Sequence, residues 1–140
     1  MKRIFVDTNI LLDLIADRKP FSKFAIDIFA LAEKKKVHLF TSSQSIATTH
    51  YVLKKYVDEI VLRNILSDLL DIISIVGVDI DVVKKSLKSV HKNFEDAIQI
   101  SSASSVKNID CIVTRNIRDF KLSEIPVFSP EHLWKLIKDN

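Results

Sequence analysis

The chain has 140 residues, the size of one ordinary domain, and 47% of them are apolar, enough to build a core. One glycine and three prolines leave little room for low-complexity stretches, and the lone Gly77 rules out both a G-x-G-x-x-G turn and a Walker A phosphate loop. The net charge of +3 (21 − 18) permits contact with a polyanion without demanding it, and the single Cys111 excludes an internal disulfide and a thiolate zinc cluster, which fits a reducing cytoplasm. Ile4-Phe5-Val6 is too short an apolar run for a signal peptide. No stretch approaches the roughly 18 apolar residues of a membrane helix.

In chain order, Ile4 to Val6 reads as a buried strand, stopped by Asp7-Thr8-Asn9. Ile10 to Ile15 then reads as a helix with Thr8 as its N-cap. After Pro20, the spacing of Phe21, Phe24, Ala25, Ile28, Leu31 and Ala32 predicts an amphipathic helix with Lys34, Lys35 and Lys36 in its last turn. Val37 to Phe40 is a second strand. Thr41, Ser42 and Ser43 offer caps for a helix reaching about Tyr56, and another helix covers Asp58 to Leu70. Ile72, Ile73, Ile75 and Val76 form a third strand ended by Gly77.

Val82, Val83, Leu87 and Val90 space a helix over Asp81 to Lys92. Asn93 caps a further helix through Ala97, Ile98, Ile100 and Ala103, in which Ser101 to Ser105 form a face of small residues able to lie close to a sheet. Cys111 to Val113 is a fourth strand and Pro126 to Phe128 a fifth, at an edge. Ser129-Pro130-Glu131 opens the last helix as cap, proline and acid. Alternating strands and helices predict one α/β domain over residues 1–140: a parallel sheet of four to five strands between two helical layers.

Open parallel sheets form their sites outside the carboxyl ends of the strands. Asp7-Thr8-Asn9 follows the first strand and Thr114-Arg115-Asn116-Ile117-Arg118-Asp119 the fourth; if these strands are neighbours, Asp7 and Asp119 face one crevice. Asp96, in the first turn of the helix that leads into the fourth strand, can be carried to the same edge by a right-handed crossover. Three carboxylates in one crevice repel one another and attract a counter-ion, and hard oxygen donors favour Mg²⁺ or Mn²⁺ over zinc.

Each acid also has a plainer role open to it. Asp7 fits a helix cap, Asp96 the N3 position of a capping box on Asn93, and Asp119 and Asn116 Asx-turns. Glu95 fits a first-turn surface acid. His38, His50, His91 and His132 share no ligand spacing, Cys111 fits a buried small residue, and Trp134 fits helix packing. Arg115 and Arg118 are candidates for phosphate contact, because they share a loop with Asp119.

Phe5-Val6-Asp7-Thr8-Asn9-Ile10-Leu11-Leu12-Asp13, Phe94-Glu95-Asp96-Ala97 and Thr114-Arg115-Asn116-Ile117-Arg118-Asp119-Phe120 together resemble a PIN domain in order and spacing across nearly the whole chain. The resemblance implies a three-layer α/β/α fold and Mg²⁺- or Mn²⁺-dependent cleavage of single-stranded RNA, often as the toxin of a VapBC-type toxin–antitoxin pair. Such toxins are commonly homodimers silenced by a small antitoxin. It gives Asp7, Asp96 and Asp119 the catalytic metal-site roles, adds Asn116 as a further site residue, and has Thr8, Asn9 and Thr114 orient ligands or water.

One departure stands out. Many relatives carry a Glu on the helix after the second strand, and the matching position here is Thr48. Glu95 is a candidate replacement, but next to Asp96 on a helix it points about 100° away. Two main readings follow: a metal-dependent endoribonuclease, or a catalytically weak PIN-like module binding RNA or a partner protein. A phosphatase-type use of Asp7 as nucleophile lacks its second acid, since Asn9 stands there. Ile26, Phe29 and Leu62 are extra apolar residues available either to a partner surface or to the core.

Overall fold

The computed structural model describes residues 2–139. Its strands are β1 (Lys2–Val6), β2 (Val37–Ser42), β3 (Ile73–Val76), β4 (Cys111–Val113) and β5 (Val127–Phe128). Its helices are α1 (Thr8–Ile15), α2 (Ser22–Glu33), α3 (Ser43–Leu53), α4 (Glu59–Leu69), α5 (Ile80–Leu87), α6 (Phe94–Ser104) and α7 (Pro130–Ile137), with a 3₁₀ turn at Ile117–Phe120. The sheet has five strands in the order β3-β2-β1-β4-β5, and every pairing is parallel.

Side chains that alternate along the strands split the core in two. Ile4, Val6, Leu39, Cys111 and Val113 face one side and pack with residues of α1, α2, α4 and α7. Phe5, Phe40 and Ile112 face the other side and pack on Ile100 and Ala103 of α6 and on Phe120. This is the expected α/β/α arrangement, and the small face of α6 holds in part: Ser101, Ser102 and Ala103 are buried, while Ser104 is exposed and Ser105 is the exposed C-cap beyond the helix. Phe29 and Leu62 belong to the first core, with 3% and 0% exposure, and are no part of an outer surface; Ile26 is exposed.

Cap chemistry sets most helix starts. Ser42, Asn93 and Ser129 accept from the backbone N–H groups of Ser45, Asp96 and His132 at 3.0, 3.0 and 3.1 Å. The structure corrects several expected boundaries. Asp7, not Thr8, caps α1, because its carboxylate accepts from Thr8 N at 2.8 Å. The lysines lie beyond α2 rather than in its last turn: Lys34 is the C-cap and Lys35 turns the chain with φ 59°. Asp79 caps the next helix through Val82 N, so α5 starts at Ile80 and is over by Leu87. β2 runs on to Ser42 because Thr41 and Ser42 still pair with Ile75 and Val76 of β3.

The order of the sheet positions the site. The chain builds outward from β1 to β2 and β3, then returns to the other side of β1 for β4 and β5. The direction reverses between β1 and β4, and a crevice opens at the carboxyl ends of that pair. Asp7 N donates to Val113 O at 3.0 Å, which carries the ladder right up to that crevice.

Candidate metal centre

A hollow of about 220 Å³ lies at this point, lined by Asp7, Thr8, Asn9, Leu12, Gln44, Thr48, Glu95, Asp96, Gln99 and Asn116. Asp7 directly follows β1, lines the hollow and is 6% exposed. Its Oδ1 accepts from Thr8 N at 2.8 Å and from Gln99 Nε2 at 3.1 Å; its Oδ2 accepts from the Thr114 hydroxyl at 2.7 Å. Three donors thus compensate the burial of this carboxylate without an ion-pair partner.

Asp96 stands at the wall, in the first turn of α6. Burial pushes its carboxyl up, and the charges of Asp7, Asp119 and Glu95 push further, to about 6. The helix acid therefore feels the charge of both acids that follow β1 and β4, which are neighbours in the sheet. Asp119 sits outside the lining of the hollow, exposed on the 3₁₀ turn, and acts on Asp96 through its field. Glu95, although turned on the helix from Asp96, still lines the hollow.

Of the other residues singled out in the sequence, Thr8 and Asn9 also line the hollow, and Asn9 reaches Thr114 Oγ1 at 3.3 Å. Asn116 lines its rim, and its N–H donates to Thr114 Oγ1 at 3.0 Å. Arg118 is exposed. Arg115 is not free for phosphate: it closes a two-pronged ion pair on buried Asp13, with Nε–Oδ2 at 2.6 Å and Nη2–Oδ1 at 3.1 Å. Thr48 lines the hollow at the position where the resemblance implies an acid. Among the described residues, no three acidic, histidine or cysteine side chains gather closely enough to hold a metal ion by themselves.

Sequence reasoning missed Gln99, Ser42 and Ser45. Gln99 is 5% exposed and bonds Asp7, Ser42 and Ser45 at once. Its signal was a long polar side chain in the apolar run Ala97-Ile98-Gln99-Ile100, one turn after Asp96. Asp13 was legible only as part of the opening motif.

The hollow carries three carboxylates among hydroxyl and amide groups, with no basic, histidine or cysteine side chain in its lining, and Asp96 carries repulsion that a cation would relieve. Asp7, Glu95 and Asp96 are the carboxylates that line the hollow and could contact a hard divalent ion there.

The PIN domain family model matches residues 3–118. The chain belongs to the PIN domain family. Asp7 and Asp96 fall inside the match and Asp119 one residue past its end. The chain is 26% identical over 133 residues to "Ribonuclease VapC1" of Aquifex aeolicus, covering 93% of this chain and 92% of that protein. Among solved structures it is similar to a "Toxin-antitoxin complex from Klebsiella pneumoniae", with a TM-score of 0.66 and 29% identity over 91% of this chain and 97% of that one. Its fold also matches the DNA-bound VapBC of Salmonella typhimurium, with a TM-score of 0.68 at 16% identity, over 93% of this chain and 99% of that one. Among the described residues of this PIN domain, no helix is long and apolar enough to cross a membrane.

Proposed function

We propose that this PIN domain is a Mg²⁺- or Mn²⁺-dependent endoribonuclease that cuts single-stranded RNA in the cytoplasm, as the toxin of a toxin–antitoxin pair. The observation that carries the reading is the hollow lined by Asp7, Glu95 and Asp96, in which burial and the charges of Asp7, Asp119 and Glu95 raise Asp96 to about 6. Asp7 and Asp96 would hold the cation, with the charge of Asp119 behind them. When bound, the ion supplies Lewis acidity at a phosphodiester and makes water a better nucleophile.

The chain's own groups do the rest. Thr8 N, Gln99 and Thr114 hold the Asp7 carboxylate in one orientation. Asn9 and Asn116, at the rim, offer neutral donors to phosphate oxygens, and exposed Arg118 offers charge. Likeness along 93% of the chain to a protein named as a ribonuclease supports the nuclease reading. A 29%-identical chain from a toxin–antitoxin complex supports an antitoxin as partner; a small antitoxin and a homodimeric toxin complete the proposed assembly.

Purified protein should cut single-stranded RNA with Mg²⁺ or Mn²⁺, and Asp96→Asn should abolish cutting while still melting cooperatively. Wild-type protein that cuts no RNA with either ion sinks the enzymatic reading. For the pairing, expression should arrest growth, and the product of an adjacent small reading frame should relieve the arrest.

A second reading is a weak or inactive module that binds RNA or a partner protein. Thr48, lining the hollow in place of an acid, favours it. RNA binding without measurable Mn²⁺ binding would decide for it.

A further inference from the structure

The hydrogen bonds around Asp7 have directions that counting settles. The Thr114 hydroxyl accepts from Asn116 N at 3.0 Å and from the Asn9 amide at 3.3 Å, so its one proton goes to Asp7 Oδ2 at 2.7 Å. On the other side, the Ser45 hydroxyl accepts from the Thr8 hydroxyl at 2.9 Å and from Gln99 Nε2 at 2.7 Å, which leaves its proton for Ser42 Oγ at 3.1 Å. Ser42 Oγ also accepts from Ser45 N, and donates to Gln99 Oε1 at 2.6 Å. With Oε1 committed to that donor, the Gln99 amide cannot flip. One of its two Nε2 protons goes to Ser45 Oγ at 2.7 Å, and the other to the charged Asp7 Oδ1 at 3.1 Å, nearer than the Thr8 hydroxyl at 3.4 Å; Oδ1 already accepts from Thr8 N.

A carboxylate offers about four acceptor sites. Two donors fall on Oδ1 of Asp7 and one on Oδ2. One acceptor site remains, on Oδ2. A carboxylate that bridges two cations needs a free site on each oxygen, and Oδ1 has none.

We propose that Gln99 is a positioning residue that locks Asp7 with Oδ2 as its one free ligand, so that the hollow takes a single divalent cation between Asp7 and Asp96. This rests on the metal-dependent reading above. The Ser42–Ser45–Gln99 chain joins the end of β2, the start of α3 and α6, so the orientation of the carboxylate that follows β1 is set by three other elements. A fully satisfied buried network of this kind holds one geometry.

Calorimetric titration of Mn²⁺ into the full chain tests it. Wild-type protein should bind one ion per chain. Gln99→Leu should still melt cooperatively but lose about 10- to 100-fold in Mn²⁺ affinity, the usual loss when a ligand's hydrogen-bond partner goes. Ser42→Ala should weaken Mn²⁺ binding alone and add nothing in the Gln99→Leu background, because it acts through the amide; a merely structural loss would add. If Gln99→Leu does not fold, Ser42→Ala carries the test, since it frees the amide to flip. Two ions per chain, or unchanged affinity in a folded Gln99→Leu protein, overturns the proposal.

If wild-type protein binds no Mn²⁺, the metal reading and the single-cation claim fall together. Melting of the metal-free Asp7→Asn, Gln99→Leu and double variants then decides the lock by itself: non-additive losses uphold it and additive losses overturn it.

Discussion

Arg115 grips Asp13 with both prongs of its guanidinium, at 2.6 and 3.1 Å, and lies over the Phe21 ring with 4.0 Å to the centroid. Asp13 is wholly buried in α1, and Arg115 is the second residue of the loop after β4, which carries Asn116 and Asp119. The pair therefore ties that loop to α1. Removing one partner leaves a buried charge uncompensated, so Arg115→Ala should cost about 3 kcal/mol, the lower end of the range for such pairs because the guanidinium is partly exposed. Arg115→Lys should recover only part of this, since an ammonium cannot make the fork. Urea denaturation measures both; an Arg115→Ala protein as stable as wild type would show that the pair does not hold the loop.

Asp96 makes the stability of the metal-free protein depend on pH in a defined direction. Its carboxyl sits at about 6 in the folded chain against an ordinary 3.8, so between these values the native state holds more protons than the unfolded state. Stability is then lost as pH rises through that window. Asp96→Asn should melt like wild type near pH 4 and at a higher temperature at pH 8. Saturating Mg²⁺ should narrow that gap for wild type, and Mg²⁺ affinity should fall below pH 6 as protons compete. Parallel melting-temperature curves across pH 4–8 would remove the electrostatic account of the hollow.

Thr48 lines the hollow from α3, on the side away from β4. Thr48→Glu would add a carboxylate to those of Asp7 and Asp96. At an effective dielectric of about 20 a charge a few ångströms from a divalent ion is worth several kcal/mol before screening, so Mn²⁺ affinity should rise about tenfold or more. The same charge should lower the metal-free melting temperature by repulsion. Calorimetry and melting of one protein sample check both signs; tighter binding without metal-free destabilisation would put the added carboxylate outside the cluster.

Leu62 and Ile26 separate core from surface. Leu62 is fully buried, and Leu62→Ala should cost about 2–5 kcal/mol. Ile26 is 46% exposed on α2, and Ile26→Ser should stay within about 0.5 kcal/mol. Chemical denaturation of the two variants, each against wild type, reads the contrast directly.

Helix starts and strands were legible because their causes are local. A capping oxygen on Asn93 or Ser129, or three consecutive apolar residues at Cys111–Val113, acts through neighbours in sequence. Helix ends were less legible. Whether Lys36 or Lys92 still belongs to a helix depends on where the chain must turn to reach the next element, which no local pattern states.

Asp7 and Asp119 followed from their place after strands, since an Asp past the carboxyl end of a buried strand opens onto solvent wherever that strand lies, and Asp96 from its place in a helix's first turn. The sequence by itself thus determined a parallel α/β fold and the identity of Asp7, Asp96 and Asp119 as a charged group. Only the tertiary structure decided that β1 and β4 are neighbours, and hence that Asp7 and Asp96 line one hollow while Asp119 acts on it from outside. It alone decided that Arg115 belongs to Asp13, 102 residues away, and that Gln99 belongs to Asp7, 92 residues away. Hydrogen bonds and ion pairs act over about 3 Å. Which donor meets which carboxylate is a property of packing, and spacing along the chain does not carry it.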